Sequence, residues 1–393
     1  MKNFSILPVI GLSTILLIGT ILNAINVLSL LLFGAEAESA VIIIKYISIT
    51  IIAISLLSIF RSSYKVVIIS SILFGFLWYL SARRNPATIP FLQENIQAFF
   101  LEGLPYLWFF YYFTSRQLDE KGGSLYRLLY KICKIKLVIA LFLQMIMFVY
   151  PKTDIFHDYM NAAFAILFGL LFITSSNLKN RHTNIFDCIL ELLGLIMIFA
   201  LGSRGSILCY GSLYILHFLF INKKHRIRTV ALLSIVCLLV YFAWPALMAS
   251  TSGSQNRIIS MVSSSSLIED ENRNMLYVVL GEYIFNNPLG LGVMSDRVII
   301  SEVFPSWNAY YAHNILLELA MDFGYFGIAT FVLFLYYIIK SFSKNEKNKY
   351  ILIVLVSGSL VKLLVSSSLW IDPLIWGLIG VLLGQTNNKL SYD

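Results

Sequence analysis

The chain has 393 residues, 58% of them hydrophobic and only 13% charged, with a mean hydropathy of +0.79. Soluble domains carry about a quarter charged residues, so this composition excludes an ordinary soluble protein and points to an all-α polytopic membrane protein. The formal net charge of +8 does not signal nucleic acid, because the basic residues stand in short clusters between apolar runs, as topology signals do.

The first apolar run, Phe4 to Phe33, follows Lys2 and ends at Ala35-Glu36-Ala37, which has the look of a cleavage site. A signal-peptide core is only about 7–15 residues long, so the run is expected to be an uncleaved first helix. Crossing a bilayer takes about 20 helical residues, and twelve segments qualify approximately. They are 6–33, 41–60, 66–82, 99–115, 132–150, 159–177, 185–201, 205–221, 229–247, 324–340, 350–368 and 371–385. Cys133, Cys188, Cys209 and Cys237 fall in these helices without metal-binding spacing and are read as packing residues.

With the N-terminus inside, most Lys and Arg residues fall on cytoplasmic segments. The positive-inside rule then puts both termini in the cytoplasm. Residues 248–323 become a large outer loop within a single transmembrane domain, 1–393. Lys45, Arg83, Arg84, Lys152, Arg204, Arg257, Arg273, Arg297 and Lys362 stand against the bias, outside or near the outer face. Each has two readings, an ordinary exception to a statistical rule or a contact for an anionic ligand.

Arg204, in GSRGS, sits at the outer rim between the seventh and eighth segments, where it either ends a helix pair or faces an anion. The outer loop opens with a Ser- and Gly-rich stretch, including Ser263 to Ser266. Glu269, Asp270 and Glu271 follow, with Asp270 placed to cap a helix over about 272–285. On that helix Arg273, Tyr277, Leu280 and Ile284 share a face, so Arg273 begins an apolar stripe and requires an anionic partner. Glu269 or Asp270 is one candidate; a phosphate, which guanidinium grips bidentately, is the other.

Asn286-Asn287-Pro288 ends this helix, and PLGLG then makes a tight turn that admits either a backbone or a ligand. Trp307, Tyr310 and Tyr311 read as interfacial anchors or as a platform for a sugar ring. From Ala312 a helical face of His313, Leu316, Leu317, Ala320 and Met321 follows. Continued to Lys340 it would be about 42 Å long, too long for a core of about 30 Å, so a break is expected at Gly324 to Gly327. The His313 half then lies at the outer surface, keeping Glu318 and Asp322 out of the lipid. A neutral imidazole serves as a general base near neutral pH, although a lone His also has ordinary structural uses.

SRGS, NRNMLY, NPLGLG and YAHNILLELAMDFGYFG together resemble the O-antigen ligase and polymerase superfamily of bacterial polytopic membrane glycosyltransferases. The motifs cover about residues 200–331. The resemblance implies a GT-C-type enzyme in which Arg204 and Arg273 hold the diphosphate of an undecaprenyl-diphosphate-linked glycan. His313 assists attack by an acceptor hydroxyl. Arg83 and Arg84, Tyr310, Tyr311 and Asn314 are further substrate-binding candidates. A prenyl diphosphate is a good leaving group once its charge is neutralised, so the scheme needs no metal and no cofactor, and one in-line displacement inverts the anomeric centre. Besides donor, acceptor and membrane lipid, the resemblance brings a chain-length regulator as a partner.

GVMSDR before the histidine motif has more the texture of the polymerases than of the ligases, which transfer finished glycan to lipid A core. A flippase or transporter is the reading from another class. Against it, RSSYK between the second and third segments lacks a major-facilitator signature, and Lys362 is the only clear basic residue within a confident span.

Overall fold

The computed structural model of the chain describes residues 6–33, 37–116, 124–149, 159–179, 184–221, 234, 271–305, 311–344 and 348–390. Every regular element among them is helical. In order these are α1 (Ile6–Phe33), α2 (Glu38–Arg84), a 3-10 turn (Pro86–Thr88), α3 (Ile89–Gln97), a π-turn (Ala98–Gly103), α4 (Leu104–Ser115), α5 (Ser124–Val149), α6 (Tyr159–Lys179), α7 (Ile185–Ala200) and α8 (Arg204–Phe220). Then come α9 (Glu271–Asn286), α10 (Ser295–Val303), α11 (Ile315–Phe323), α12 (Tyr325–Lys344), α13 (Lys349–Leu355), a π-turn (Val356–Leu360), α14 (Val361–Val365) and α15 (Pro373–Leu390).

Among the described residues, four helical stretches are long and apolar enough to cross a membrane: Ile6–Leu30, Glu38–Arg84, Met160–Lys179 and Tyr325–Ser343. The expected spans 41–60 and 66–82 form one helical run, broken only at Ser63, whose backbone is non-helical (φ −135°, ψ 25°). RSSYK contains neither Gly nor Pro, so little in it stops helical hydrogen bonding. The expected span 229–247, apart from Ser234, lies outside the described residues, as do Asp270 and the serine run.

The chain divides into two compact units. The first comprises Met1–Ser55, Asp119–Leu267 and Lys347–Gly358; the second comprises Leu56–Leu118, Ile268–Glu346 and Ser359–Asp393. In the first, α6 is the central element, with Leu170, Leu171, Phe172 and Ile173 all fully buried. Helix α5 packs on it closely: a β-carbon at Gly169 would lie 2.7 Å from Leu137 Cβ. Glu191 of α7 ties three helices together by accepting from Thr174 (2.8 Å) and Asn177 (2.6 Å) of α6 and from Tyr210 (2.8 Å) and Tyr214 (3.2 Å) of α8.

The second unit is built on the packing of α4 against α15 and on a group of rings from Phe74, Trp78, Phe99, Trp370 and Trp376. Small residues admit the helix pair, as in membrane bundles generally. A β-carbon at Gly380 would fall 2.4 Å from Leu107 O. Helix α12 shows much of its apolar surface outward, with Phe326, Val332 and Leu333 more than half exposed, as a lipid-facing helix should.

Candidate active site around His313

The second unit carries the candidate site, on a framework of α9, α10 and α11. Helix α9 realises the expected helix: Leu276 and Leu280 are buried against Ile299, Ile300, Phe304, Ala312 and Met321, and Tyr277 and Ile284 pack on the same cluster. Asn286 is its last residue.

The turn after Pro288 is filled by backbone. Met321 O and Asp322 O, near the C-terminus of α11, accept from Leu291 N (2.7 Å) and Gly292 N (3.0 Å). These carbonyls have no intrahelical partner, so the turn supplies what the helix end lacks. Gly290, Gly292 and Gly324 have φ of +72°, +101° and +62°, and a β-carbon at Gly324 would meet Pro288 O at 1.9 Å. The expected break between Gly324 and Gly327 therefore occurs at Gly324. The end of α2 joins the same turn: Ser81 Oγ accepts from Val293 N (2.8 Å), and Arg84 donates to Leu289 O (3.0 Å). Arg83 and Arg84 are both exposed.

Helix α10 starts from Met294 (φ +63°) and buries Ser295, Asp296 and Arg297 in its first turn, at 0%, 0% and 4% exposure. Asp296 Oδ2 accepts the Ala312 amide at 2.8 Å. The Arg297 guanidinium lies 5.9 Å from the centre of the Tyr311 ring, and its Nε and Nη2 have no hydrogen-bond partner among the described residues. The Tyr311 ring in turn stands 4.2 Å from the His313 ring.

His313 does not lie on a helical face, as the apolar spacing suggests. Helix α11 begins two residues later, because Asn314 caps it by accepting from Leu316 N at 2.9 Å. His313 adopts φ +53°, a left-handed conformation that costs a non-glycine residue roughly 1–2 kcal/mol. Asn314, a candidate for substrate binding, is the cap of this helix.

Glu318 and Asp322 are buried inside the unit. Glu318 accepts from the Ser368 hydroxyl and from Leu369 N (2.7 Å), and Asp322 accepts from Trp370 Nε1 (2.7 Å). Burial pushes the Glu318 carboxyl up to about 8, with repulsion from Asp296 adding to it and the hydrogen bonds from Ser368 and Leu369 opposing. Burial likewise raises Asp322 well above the carboxylate range, reinforced by Asp296 and Glu318. Asp296 is raised by burial too, while Arg297 beside it pulls the other way. Lys362 is held by Asp372 at 2.5 Å, which accounts for a cation in that segment.

The structure thus brings His313 together with Tyr311, Arg297 and Asp296. Arg273 stands in the first turn of α9, while Trp307 and Tyr310 lie outside the described residues. Arg204 heads α8 in the first unit, directly after Gly202 (φ +67°) and Ser203. Sequence reasoning overlooked Asp296, and it placed Arg297 only among the basic residues that stand against the topology bias. The signal for Asp296 is its pairing with Arg297 four residues after Gly292, at a helix start that continues into Val298, Ile299 and Ile300. The first unit also holds a cavity between α1, α5 and α6, but Asn23, Asn26, Gln144 and Asn161 there offer amides and no charge.

A family model described as O-Antigen ligase matches residues 189–332, a span that contains Arg204, Arg273, Arg297 and His313. No curated protein and no solved structure matches the chain. The family match supports the O-antigen ligase and polymerase superfamily. With it comes glycan transfer from lipid-linked substrates by a membrane glycosyltransferase-like enzyme of polysaccharide biosynthesis.

Proposed function

We propose that this chain polymerises undecaprenyl-diphosphate-linked oligosaccharide repeat units into a surface polysaccharide, O-antigen or capsule, at the outer face of the bacterial inner membrane. The observation that carries the reading is the setting of His313 within the family match: a left-handed residue between an anchored amide and a helix cap, beside a tyrosine ring. Strain of this kind persists only where surrounding contacts fix it, and it concentrates at functional positions.

In the proposed reaction the acceptor sugar hydroxyl gives its proton to His313 as its oxygen attacks the anomeric carbon of the donor. The bond from that carbon to the diphosphate oxygen breaks, and undecaprenyl diphosphate leaves with the electron pair. Arg273 stabilises the charge on the departing diphosphate, the larger need in such a displacement. The configuration at the anomeric carbon inverts.

Purified protein in lipid nanodiscs, given a lipid-linked repeat unit, should form a ladder of longer lipid-linked chains. Arg273→Ala and His313→Ala should insert normally and form none. Normal chain lengths in both variants would remove these residues from the site. Transfer only when lipid A core is supplied would identify a ligase, and movement of substrate across liposomes without a new glycosidic bond would identify a transporter.

A further inference from the structure

We propose that Asp296 is a positioning residue that holds His313 in its working orientation through the amide of Ala312. The inference rests on the reading of His313 as the base that receives the acceptor proton.

Three buried acids stand on α10 and α11, and two have other duties. Glu318 grips Ser368 and Leu369, and Asp322 grips the Trp370 indole. Asp296 alone among them reaches the segment that presents the imidazole, with Oδ2 2.8 Å from Ala312 N. Ala312 is itself 1% exposed, so without this acceptor its N–H would be a buried, unsatisfied donor. One residue further, the chain enters the left-handed conformation of His313. Three residues beyond that, Leu316 N is fastened to the Asn314 side chain. His313 therefore lies between two side-chain-to-backbone bonds, one on each side.

The residue after Asp296 supports the same segment from another direction. Arg297 underlies the Tyr311 ring, and that ring packs beside the imidazole. The first turn of α10 thereby holds residue 311 through its ring and residue 312 through its amide. Without the Asp296 bond, the strained φ at 313 has less to maintain it, and relaxation to negative φ would redirect the imidazole. A displacement of about 1 Å in a catalytic group suffices for roughly a hundredfold loss of rate.

The test compares Asp296→Asn, which keeps a side-chain oxygen for the Ala312 amide, with Asp296→Ala, which removes it, in full-length protein in nanodiscs. Deuterium exchange read by mass spectrometry on a peptide containing residues 311–314 should be slow in the wild type and in Asp296→Asn, and faster in Asp296→Ala. With a lipid-linked repeat unit as substrate, Asp296→Ala should lower kcat about a hundredfold with KM within about threefold, and Asp296→Asn should restore most of kcat. Should Asp296→Ala fail to accumulate, Asp296→Glu, which displaces the carboxylate by one methylene, should show the same selective loss of kcat. Unchanged exchange in Asp296→Ala, or equal losses of kcat in Asp296→Asn and Asp296→Ala, would overturn the proposal. Exchange that follows Asp296 while His313→Ala still elongates chains would refute the reading of His313 as base and leave the anchoring of its backbone standing.

Discussion

The amide of Tyr325 donates to the carbonyl oxygen of Pro288 at 3.0 Å, so the first residue of α12 is fastened directly to the turn that leads into α10. Gly324 makes this possible, having neither a β-carbon to strike that oxygen nor a penalty for positive φ. Gly324→Ala should therefore destabilise the protein by about 2–4 kcal/mol, combining overpacking with a left-handed alanine. Gly281→Ala is the matching control. That glycine is inside α9 with open space where a β-carbon would go, and alanine there should stabilise by up to about 1 kcal/mol. Thermal unfolding of both variants in detergent decides the matter, and similar melting temperatures would contradict the account of the turn.

His313→Asn separates function from strain. Asparagine tolerates the left-handed region, so the variant should stay within about 1 kcal/mol of wild-type stability while losing chain elongation. Melting temperature and polymer length, measured on one preparation, check this. An elongating Asn variant would show that no imidazole is needed.

Stability should fall as pH rises through the neutral range. The Glu318 carboxyl, raised to about 8 in the folded protein, keeps a proton that the unfolded chain loses near about 4.3, so folding binds protons between those values. Asp296 and Asp322, both raised, act in the same direction, while Arg297 opposes the shifts of Asp296 and Glu318. Glu318→Gln keeps an oxygen for the Leu369 amide and cannot ionise, so its melting temperature should fall less between about pH 5 and 9. An equal slope in wild type and variant would place the titration elsewhere.

Glu191 should be essential to the first unit. Glu191→Ala leaves Thr174, Asn177, Tyr210 and Tyr214 without their shared acceptor and should cost about 2–4 kcal/mol. Glu191→Gln replaces one accepting oxygen with a donor and should fall between. The yield of monodisperse protein and its melting temperature report the difference, and a wild-type Ala variant would mean that the network contributes little.

Helices announced themselves in the sequence wherever a long apolar run met a cap or a breaker. Helix α9 follows from its 3.6-residue stripe and Asn-Asn-Pro, and the end of α11 follows from Gly324, because those signals are local. The start of α11 was misread, since Ala312 and His313 extend the apolar spacing although Asn314 is the cap. Asp296 stayed hidden for a different reason. Its partner is the backbone of residue 312, sixteen positions away, and a backbone amide leaves no trace in a sequence. The burial of Glu318 and Asp322 was equally illegible, because their donors, Ser368, Leu369 and Trp370, come from a turn about fifty residues later.

The bond from Tyr325 to Pro288 also has a consequence for the lipid environment. Helix α12 is long and apolar enough to cross a bilayer, and such helices answer a change in hydrocarbon thickness by tilting. Its first amide is tied to the segment that heads α10, and α10 anchors Ala312 through Asp296. Two hydrogen bonds and the chain between them therefore connect the tilt of α12 to the backbone that bears His313. Acyl-chain length in the reconstituting membrane should accordingly act on the candidate site itself.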